Sequence, residues 1–324
     1  MLNTLDEIKK LVSEDLNAVQ RLISEPVHKE TPLIGMLCNH LISSGGKRLR
    51  PLMLLLSARA CSYTGATQIE LAAALEYFHT ATLLHDDVVD ESSLRRGQKT
   101  ANDIWGNKAC ILVGDFLFTQ SFQWVLASRD LEILDLFANM TKNISLGEIK
   151  QLSLKNRMDV KMEDYFEVIR SKTSLLFSAA AEFGACLSRS PSDICIALRD
   201  YGLHVGNAFQ MVDDALDYCS SAEVMGKSVG DDLADGKMTL PLLCAIQRGT
   251  VEQVALIRKS IEMGSLENLS DIIKIIKETK AADYTCELAR EEVNCAVRAL
   301  DVLTESPYKQ GLIQLAYFAV LRSY

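Results

Sequence analysis

Two stretches of the chain carry the same five-residue acidic pattern, Asp86-Asp87-Val88-Val89-Asp90 and Asp213-Asp214-Ala215-Leu216-Asp217. In each, the outer aspartates are four residues apart, so on a helix they lie one turn apart on one face. Carboxylates grouped in this way are hard oxygen donors. Two such faces turned toward one cavity would make a strongly negative pocket suited to Mg²⁺. The natural partner of Mg²⁺ held by a few carboxylates is a polyanion, most simply a diphosphate.

Other residues suit the same chemistry. His79 lies two turns, roughly 10 Å, before Asp86, and within about 40° of Asp86 and Asp90 around the helix axis. By themselves these groups decide little. An acidic helix end is more often simply solvated, and a lone histidine more often makes a structural hydrogen bond. The segment Gly45-Gly46-Lys47-Arg48-Leu49-Arg50-Pro51 shifts the balance. Its glycines let backbone approach an anion closely. Lys47 and Arg50 can reach one phosphate group, the arginine by forking across two oxygens. Cations clustered at a helix N-terminus oppose the helix dipole, and a bound anion would resolve the conflict. Arg95-Arg96 follow the first motif and can either pair with its carboxylates or serve two phosphate groups. In the second half, Gln210, Asp213, Asp214 and Asp217 follow the i, i+3, i+4, i+7 spacing of one helical face, with Phe209, Val212 and Leu216 on the other side. Lys172-Thr173, Lys227 and Lys237 would be ordinary surface residues but for the two acidic motifs.

The elements that position these groups are helices. The 324 residues include 48% hydrophobic side chains but only 6 Pro and 17 Gly, a composition that favours helix and can bury a large core. The spacing predicts helices over 4–24, 34–43, 51–61, 67–90, 107–126, 129–152, 163–188, 192–220, 239–247, 251–263, 267–279, 281–304 and 308–322. Pro26 and Pro32 mark a turn, Gly45-Gly46 a C-cap, and 91–101 a polar loop. No period-two alternation marks a strand. The irregular stretch 220–238, rich in Gly, Asp and Lys, is a candidate lid. An all-α fold in a single domain, 1–324, follows, since no linker interrupts the pattern.

Composition also excludes some classes. A net charge of -9 leaves no general basic face for nucleic acid. The nine cysteines are scattered with no CxxC pair, as expected of reduced thiols in a cytoplasmic protein rather than a disulfide framework or zinc site. The acidic, amphipathic start MLNTLDEIKKLVSEDLNAVQ is unlike a signal or transit peptide. Asp115 interrupts the most apolar run, 109–118, so no membrane-spanning segment is expected.

Taken in order, GGKRLRP at 45–51, LLHDDVVDESSLRRG at 83–97, GEIKQL at 147–152, SKT at 171–173, FQMVDDALD at 209–217 and GKSVGDDLADGKMTLPLL at 226–243 resemble the trans-prenyltransferase family, the head-to-tail isoprenyl diphosphate synthases. The likeness covers most of the chain and is nearest to bacterial long-chain synthases of the octaprenyl type, which supply quinone side chains. It implies the isoprenoid synthase fold, a helical bundle around a deep central cavity, in a homodimer. It implies three Mg²⁺ held by Asp86, Asp90 and Asp213, with Asp87, Asp214 and Asp217 as supporting ligands or neighbours. Arg95, Lys172, Thr173, Gln210, Lys227 and Lys237 would hold the allylic diphosphate. Lys47, Arg50, His79 and Arg96 would hold isopentenyl diphosphate. The chain would then add isopentenyl units to a primer such as farnesyl diphosphate, giving octaprenyl or, alternatively, heptaprenyl or nonaprenyl diphosphate.

Product length has its own local signal. A chain growing from Asp86 toward the start of its helix meets Thr82 and Ala81, both small, and then Phe78 about 12 Å back. Small residues here leave a passage open for a long product, although they also allow helices to pack closely. Two rival readings remain. Glu76-x-x-His79 is the kind of pair used by di-iron bundles, but its only counterpart, Glu25-Pro26-Val27-His28, sits at a proline turn. A non-catalytic prenyltransferase-like subunit should have lost aspartates, and here both motifs are intact.

Overall fold

Thr4 starts the first helix with a reciprocal cap: its hydroxyl accepts the Glu7 N–H, and the Glu7 carboxylate accepts the Thr4 N–H. The computed structural model describes residues 4–29, 31–43, 46–95, 97–219 and 229–321, without the side chains of 25–29, 42 and 43. Helices α1 (Leu5–Lys10), α2 (Ser13–Lys29), α3 (Pro32–Ser43), α4 (Leu49–Ala60) and α5 (Thr67–Val89) come first. Then follow strands β1 (Leu94–Arg95) and β2 (Gln98–Lys99), and helices α6 (Ala101–Trp105), α7 (Asn107–Ala127), α8 (Leu131–Leu154) and α9 (Met162–Ile169). A π-helical turn, Arg170–Ser174, joins α9 to α10 (Leu175–Leu187). The chain continues through α11 (Ser192–Cys219), α12 (Asp231–Ala234), α13 (Leu240–Arg248), α14 (Val251–Met263), α15 (Leu269–Glu278), α16 (Ala281–Ala299), a 3₁₀ turn at Leu300–Val302, and α17 (Pro307–Val320).

The all-α expectation holds, with three local corrections. The stretch expected as one helix over 4–24 is broken after Lys10, where the Leu11 and Val12 N–H groups bond three residues back instead of four. Ile8 and Val12, on either side of the break, are both buried. Pro26 does not end a helix: α2 runs through it, giving up only the one hydrogen bond its missing N–H would have made. The loop after Asp90 holds a two-residue antiparallel hairpin, Leu94 opposite Lys99 and Arg95 opposite Gln98, too short for alternation to reveal.

Two compact units emerge from these elements: one from Met1–Asn139, Leu176–Gly202 and Ala299–Leu315, the other from Met140–Leu175, Leu203–Arg298 and Ala316–Tyr324. In the first, α4 is buried from Pro51 to Ala58 and most of α5 is buried as well, the mark of helices enclosed on nearly all sides. Gly184 of α10 lies where any Cβ would strike the α4 backbone at Ala58. Helix α7 packs one stripe inward, Cys110, Val113, Gly114, Leu117, Ser121 and Val125. Its rings meet those of α5, Tyr77 with Trp124 at 4.6 Å and Phe78 with Phe118 at 5.6 Å. By length and composition α7 could cross a membrane, with mean hydropathy 1.3, although Asp115 lies within it. The sequence expectation of no such helix is corrected to that extent. In the second unit, Ile272, Ile275 and Ile276 of α15 and Ala282, Cys286, Ala289, Val293 and Ala296 of α16 supply buried stripes.

Candidate active site

The first acidic motif closes α5. Asp86 and Asp87 are in its last turn, and Asp90 is the C-cap residue, its N–H bonded to the Asp86 carbonyl at 2.8 Å. The carboxylates differ sharply in surroundings. Asp86 and Asp90 are half-buried, whereas Asp87 is fully buried and grips Arg95 with both oxygens, Nε at 2.9 and 3.2 Å and Nη2 at 2.7 Å. Asn102 donates to the carbonyls of Asp87 and Ser92, tying the loop back onto the helix end. His85 rests over Gly114, where an added Cβ would overlap its ring, with Nε2 at 3.3 Å from the Ile111 carbonyl and 3.6 Å from Asp115.

The basic segment leads into α4. Lys47 is exposed, and Arg50 is half-buried with its guanidinium 4.4 Å from the centre of the Phe177 ring. Arg48, which adopts a left-handed backbone with φ of 55°, forms an ion pair with Glu76 on α5. Glu76 is 6% exposed. That pair was not legible in the sequence, and it occupies the glutamate on which the di-iron reading depended. His79 is half-buried on α5, and its carbonyl accepts the Thr82 hydroxyl. Ser44, Gly45, Arg96 and Lys227 lie outside the described residues, and with them the expected glycine cap and most of the candidate lid.

The second motif belongs to the other unit and is bound more tightly into its surroundings. Asp214 and Asp217 are each 4% exposed. Tyr165 donates to Asp214 Oδ2 at 2.7 Å, and Gln210 Nε2 donates to Oδ1 at 2.8 Å. Gln210 in turn accepts the Thr173 hydroxyl at 2.8 Å. Asp217 accepts the Asp232 N–H at 3.3 Å through its carboxylate and the Gly230 N–H at 3.1 Å through its carbonyl. Lys172 reaches Glu148 of the GEIKQL segment at 2.7 Å, and Lys237 reaches Asp235 at 2.8 Å. Burial, and then the charge of Asp232, push the Asp214 carboxyl well above the usual range. Burial and the same aspartates raise the Tyr165 and Tyr218 hydroxyls too.

Do these groups fit Mg²⁺? The donors are hard oxygens, as that ion requires. Asp86 and Asp90 of the first motif and Asp217 of the second also lie at helix C-terminal ends, where the dipole already disfavours negative charge. Neither α5 nor α11 has a basic residue in its last turn. A divalent cation relieves that conflict. Among the described residues no group of three or more His, Cys, Asp or Glu side chains converges into a ready-made cage. Mg²⁺ rarely uses such cages, taking one or two carboxylates and completing its shell with water and substrate phosphates. The residues therefore fit the ion as a partner of a phosphorylated substrate.

Comparison with known proteins places this arrangement. Residues 31–279 match the family described as polyprenyl synthetase. The chain is 45% identical over 324 residues to an octaprenyl diphosphate synthase of Haemophilus influenzae, covering 100% of this chain and 98% of that protein. The chain belongs to the polyprenyl synthetase family. Another relative, a geranyl-diphosphate-specific all-trans-nonaprenyl-diphosphate synthase of Rhodobacter capsulatus, is 42% identical over 96% of each chain. Among solved structures, a polyprenyl synthase from Caulobacter crescentus CB15, complexed with calcium and isoprenyl diphosphate, is similar with a TM-score of 0.95 and 39% identity, over 99% of this chain and 98% of that one.

The residues expected to bear on product size lie on α5 before the first motif. Ala81 and Phe78 are buried, and Thr82 is half-buried. Phe78 belongs to an aromatic cluster with Phe118, Phe122, Phe137 and Phe183, ring centres 4.9–6.5 Å apart in successive pairs. The helical period located Phe78, but the rings contributed by α7, α8 and α10 left no local signal.

Proposed function

We propose that this polyprenyl synthetase makes a long-chain all-trans-polyprenyl diphosphate, octaprenyl diphosphate, by adding isopentenyl diphosphate head to tail to an allylic primer such as farnesyl diphosphate. Its product would supply a quinone side chain. The observation that carries this reading is the full-length likeness to an octaprenyl diphosphate synthase with both acidic motifs intact. The nonaprenyl relative, nearly as similar, keeps a product one unit longer as the second reading.

Asp86, Asp90, Asp213 and Asp217 would hold Mg²⁺, three ions per site. Bound there, Mg²⁺ supplies neutralisation of the charge that develops on the departing diphosphate. The calcium and isoprenyl diphosphate in the Caulobacter crescentus structure support a divalent cation with a diphosphate in this family. Lys172, Thr173, Gln210, Arg95, Lys227 and Lys237 bind the allylic diphosphate; Lys47, Arg50, His79 and Arg96 bind isopentenyl diphosphate. Asp87 and Asp214 act one step back, holding Arg95 and Gln210 in place. As the allylic carbon–oxygen bond breaks, its electron pair leaves with the diphosphate. The double bond of isopentenyl diphosphate, held close and aligned, attacks the allylic cation, and the departed diphosphate takes the proton then lost. Apolar walls exclude the water that would quench the cation. Ala81 and Thr82, being small, would let the growing chain pass, and the Phe78 cluster would narrow its path farther down.

The family match takes in segments of both compact units, which supports one polyprenyl synthase domain over 1–324. Free cysteines, five of them buried, suit a cytoplasmic setting. A homodimer would cover the apolar side chains that α7 leaves open, Leu112 at 67% and Leu126 at 61% exposure among them.

The test is mass analysis of the products formed from purified protein, Mg²⁺, farnesyl diphosphate and labelled isopentenyl diphosphate. Octaprenyl diphosphate is expected, with turnover falling about 10³-fold in Asp86→Ala. Nonaprenyl diphosphate would favour the second reading. Absence of any condensation product, or an Asp86→Ala variant as active as wild type, would overturn both.

A further inference from the structure

Lys172 and Thr173 do not sit on a regular helix. They belong to the π-helical turn Arg170–Ser174, an element that inserts an extra residue into a helix and is frequent at functional sites. Such a turn is less stable than the α-helix around it, so something must hold it. In the unit that contains it, three neighbours do.

Two are glycines. A Cβ on Gly147 of α8 would overlap the Ser171 side chain, and a Cβ on Gly206 of α11 would overlap the Ser174 backbone. The turn is thus closely flanked by two helices at positions where only glycine fits. The third is a buried polar chain. The Ser174 hydroxyl, fully buried, donates to Asn207 Oδ1 at 2.7 Å. Asn207, 1% exposed, donates from Nδ2 to Glu292 Oε2 at 3.0 Å. Nδ1 of His204 lies 2.6 Å from the same oxygen. A carboxylate only accepts hydrogen bonds. Glu292 therefore sets which way the Asn207 amide faces, with NH₂ toward α16 and C=O toward the turn. Reversing that amide would set its oxygen against the Glu292 carboxylate, acceptor facing acceptor with no proton between them, which is costly for buried groups.

Asn207 and Gln210 lie one turn apart on α11. The first holds Ser174 and the second holds Thr173, so the turn is fastened at adjacent residues to one helix face. We propose that Glu292, acting through Asn207, is a positioning residue that sets the π-helical turn so that Lys172 and Thr173 meet the allylic diphosphate. This rests on the role of Lys172 and Thr173 in the function proposed above. Glu292 touches neither substrate. Its effect is on the alignment of the allylic diphosphate site, and isopentenyl diphosphate, held by residues elsewhere in the chain, is unaffected.

The variants are Glu292→Ala, Glu292→Gln, Ser174→Ala and the double variant Glu292→Ala/Ser174→Ala. Three quantities are measured: the Kd of farnesyl diphosphate with Mg²⁺ by calorimetry, KM for each substrate, and thermal midpoint. Glu292→Ala and Ser174→Ala should each weaken farnesyl diphosphate about tenfold in both Kd and KM, with KM for isopentenyl diphosphate within twofold of wild type. The double variant should be no worse than either single one, because both break the same chain. Glu292→Gln, whose amide oxygen can still accept from Asn207, should recover most of the affinity. Unchanged Kd for farnesyl diphosphate in folded Ser174→Ala and Glu292→Ala would overturn the proposal. So would equal loss for both substrates, or a lower thermal midpoint with affinities intact. If wild type binds farnesyl diphosphate without condensing it, the prenyltransfer reading fails while Kd still judges the positioning role. If wild type does not bind it at all, both fall.

Discussion

Asp86, Asp87 and Asp90 are the same residue type within five positions, yet their surroundings separate them. Asp87 is enclosed and committed to Arg95, while its neighbours keep partial access to solvent. The helical period brought Asp86 and Asp90 onto one face; Asp87, one residue on, points 100° away and meets the returning loop. A different acid shows burial as the leading influence on a charge. Glu182 has its carboxyl pushed up to about 6, first by burial, with Arg199 pulling it down and Asp200 and Glu132 pushing it up. From an unfolded value near 4.5, the folded protein binds this proton more readily than the unfolded chain. The ionised form therefore costs stability above about pH 6, and the cost disappears as pH falls through the window to about 4.5. Glu182→Gln should be more stable than wild type at pH 7, by about 1 kcal/mol once the partial exposure of the group is allowed for, and by almost nothing below pH 4.5. Denaturant melts across that range measure it.

At the scale of elements, α5 does two jobs. Its C-terminal end carries the first acidic motif, and its middle turns present Ala81, Thr82 and Phe78. Its hydrophobic residues recur on nearly every side, so the periodicity that located the motif could not tell which side borders a passage and which packs. Ala81 is 1% exposed, so little free volume surrounds it, and a phenylalanine there has to fill any passage or displace the helix. Ala81→Phe should shorten the product by several isoprene units while initial condensation with farnesyl diphosphate continues, as product chromatography would show. Unchanged product length would mean that Ala81 is small for packing alone. The π-helical turn teaches the complementary lesson. Residues 163–188 read as continuous helix, and the extra residue at 170–174 leaves no mark in composition. Only the flanking glycines and the Ser174–Asn207 bond, distant in sequence, reveal that it is specified.

For the whole molecule, the apolar residues left open matter as much as those enclosed. Helix α7 leaves Ile111 and Leu112 44% and 67% exposed, and on α8 Leu146, Ile149 and Leu152 are 52–65% exposed. The proposed homodimer would cover exposed apolar residues of this kind with a second copy of the chain. Light scattering should give a dimer mass for wild type. Leu112→Asp should shift the equilibrium toward monomer by about tenfold or more, since it places a charge in a surface that association would dry. A monomeric wild type would remove the basis for the dimer.

The sequence alone determined the helical class, the two aspartate faces and the order of the family motifs. Each depends on spacing within one segment, where 3.6 residues per turn convert position into direction. The tertiary structure decided which of those charges are already engaged: Arg48 by Glu76, Arg95 by Asp87, Gln210 by Thr173 and Asp214. It also turned the Lys172 segment into a π-helical turn bonded to α11. The longer of these pairings join residues 28 to 37 positions apart, and one sequence contains no local pattern that says which distant partners will meet.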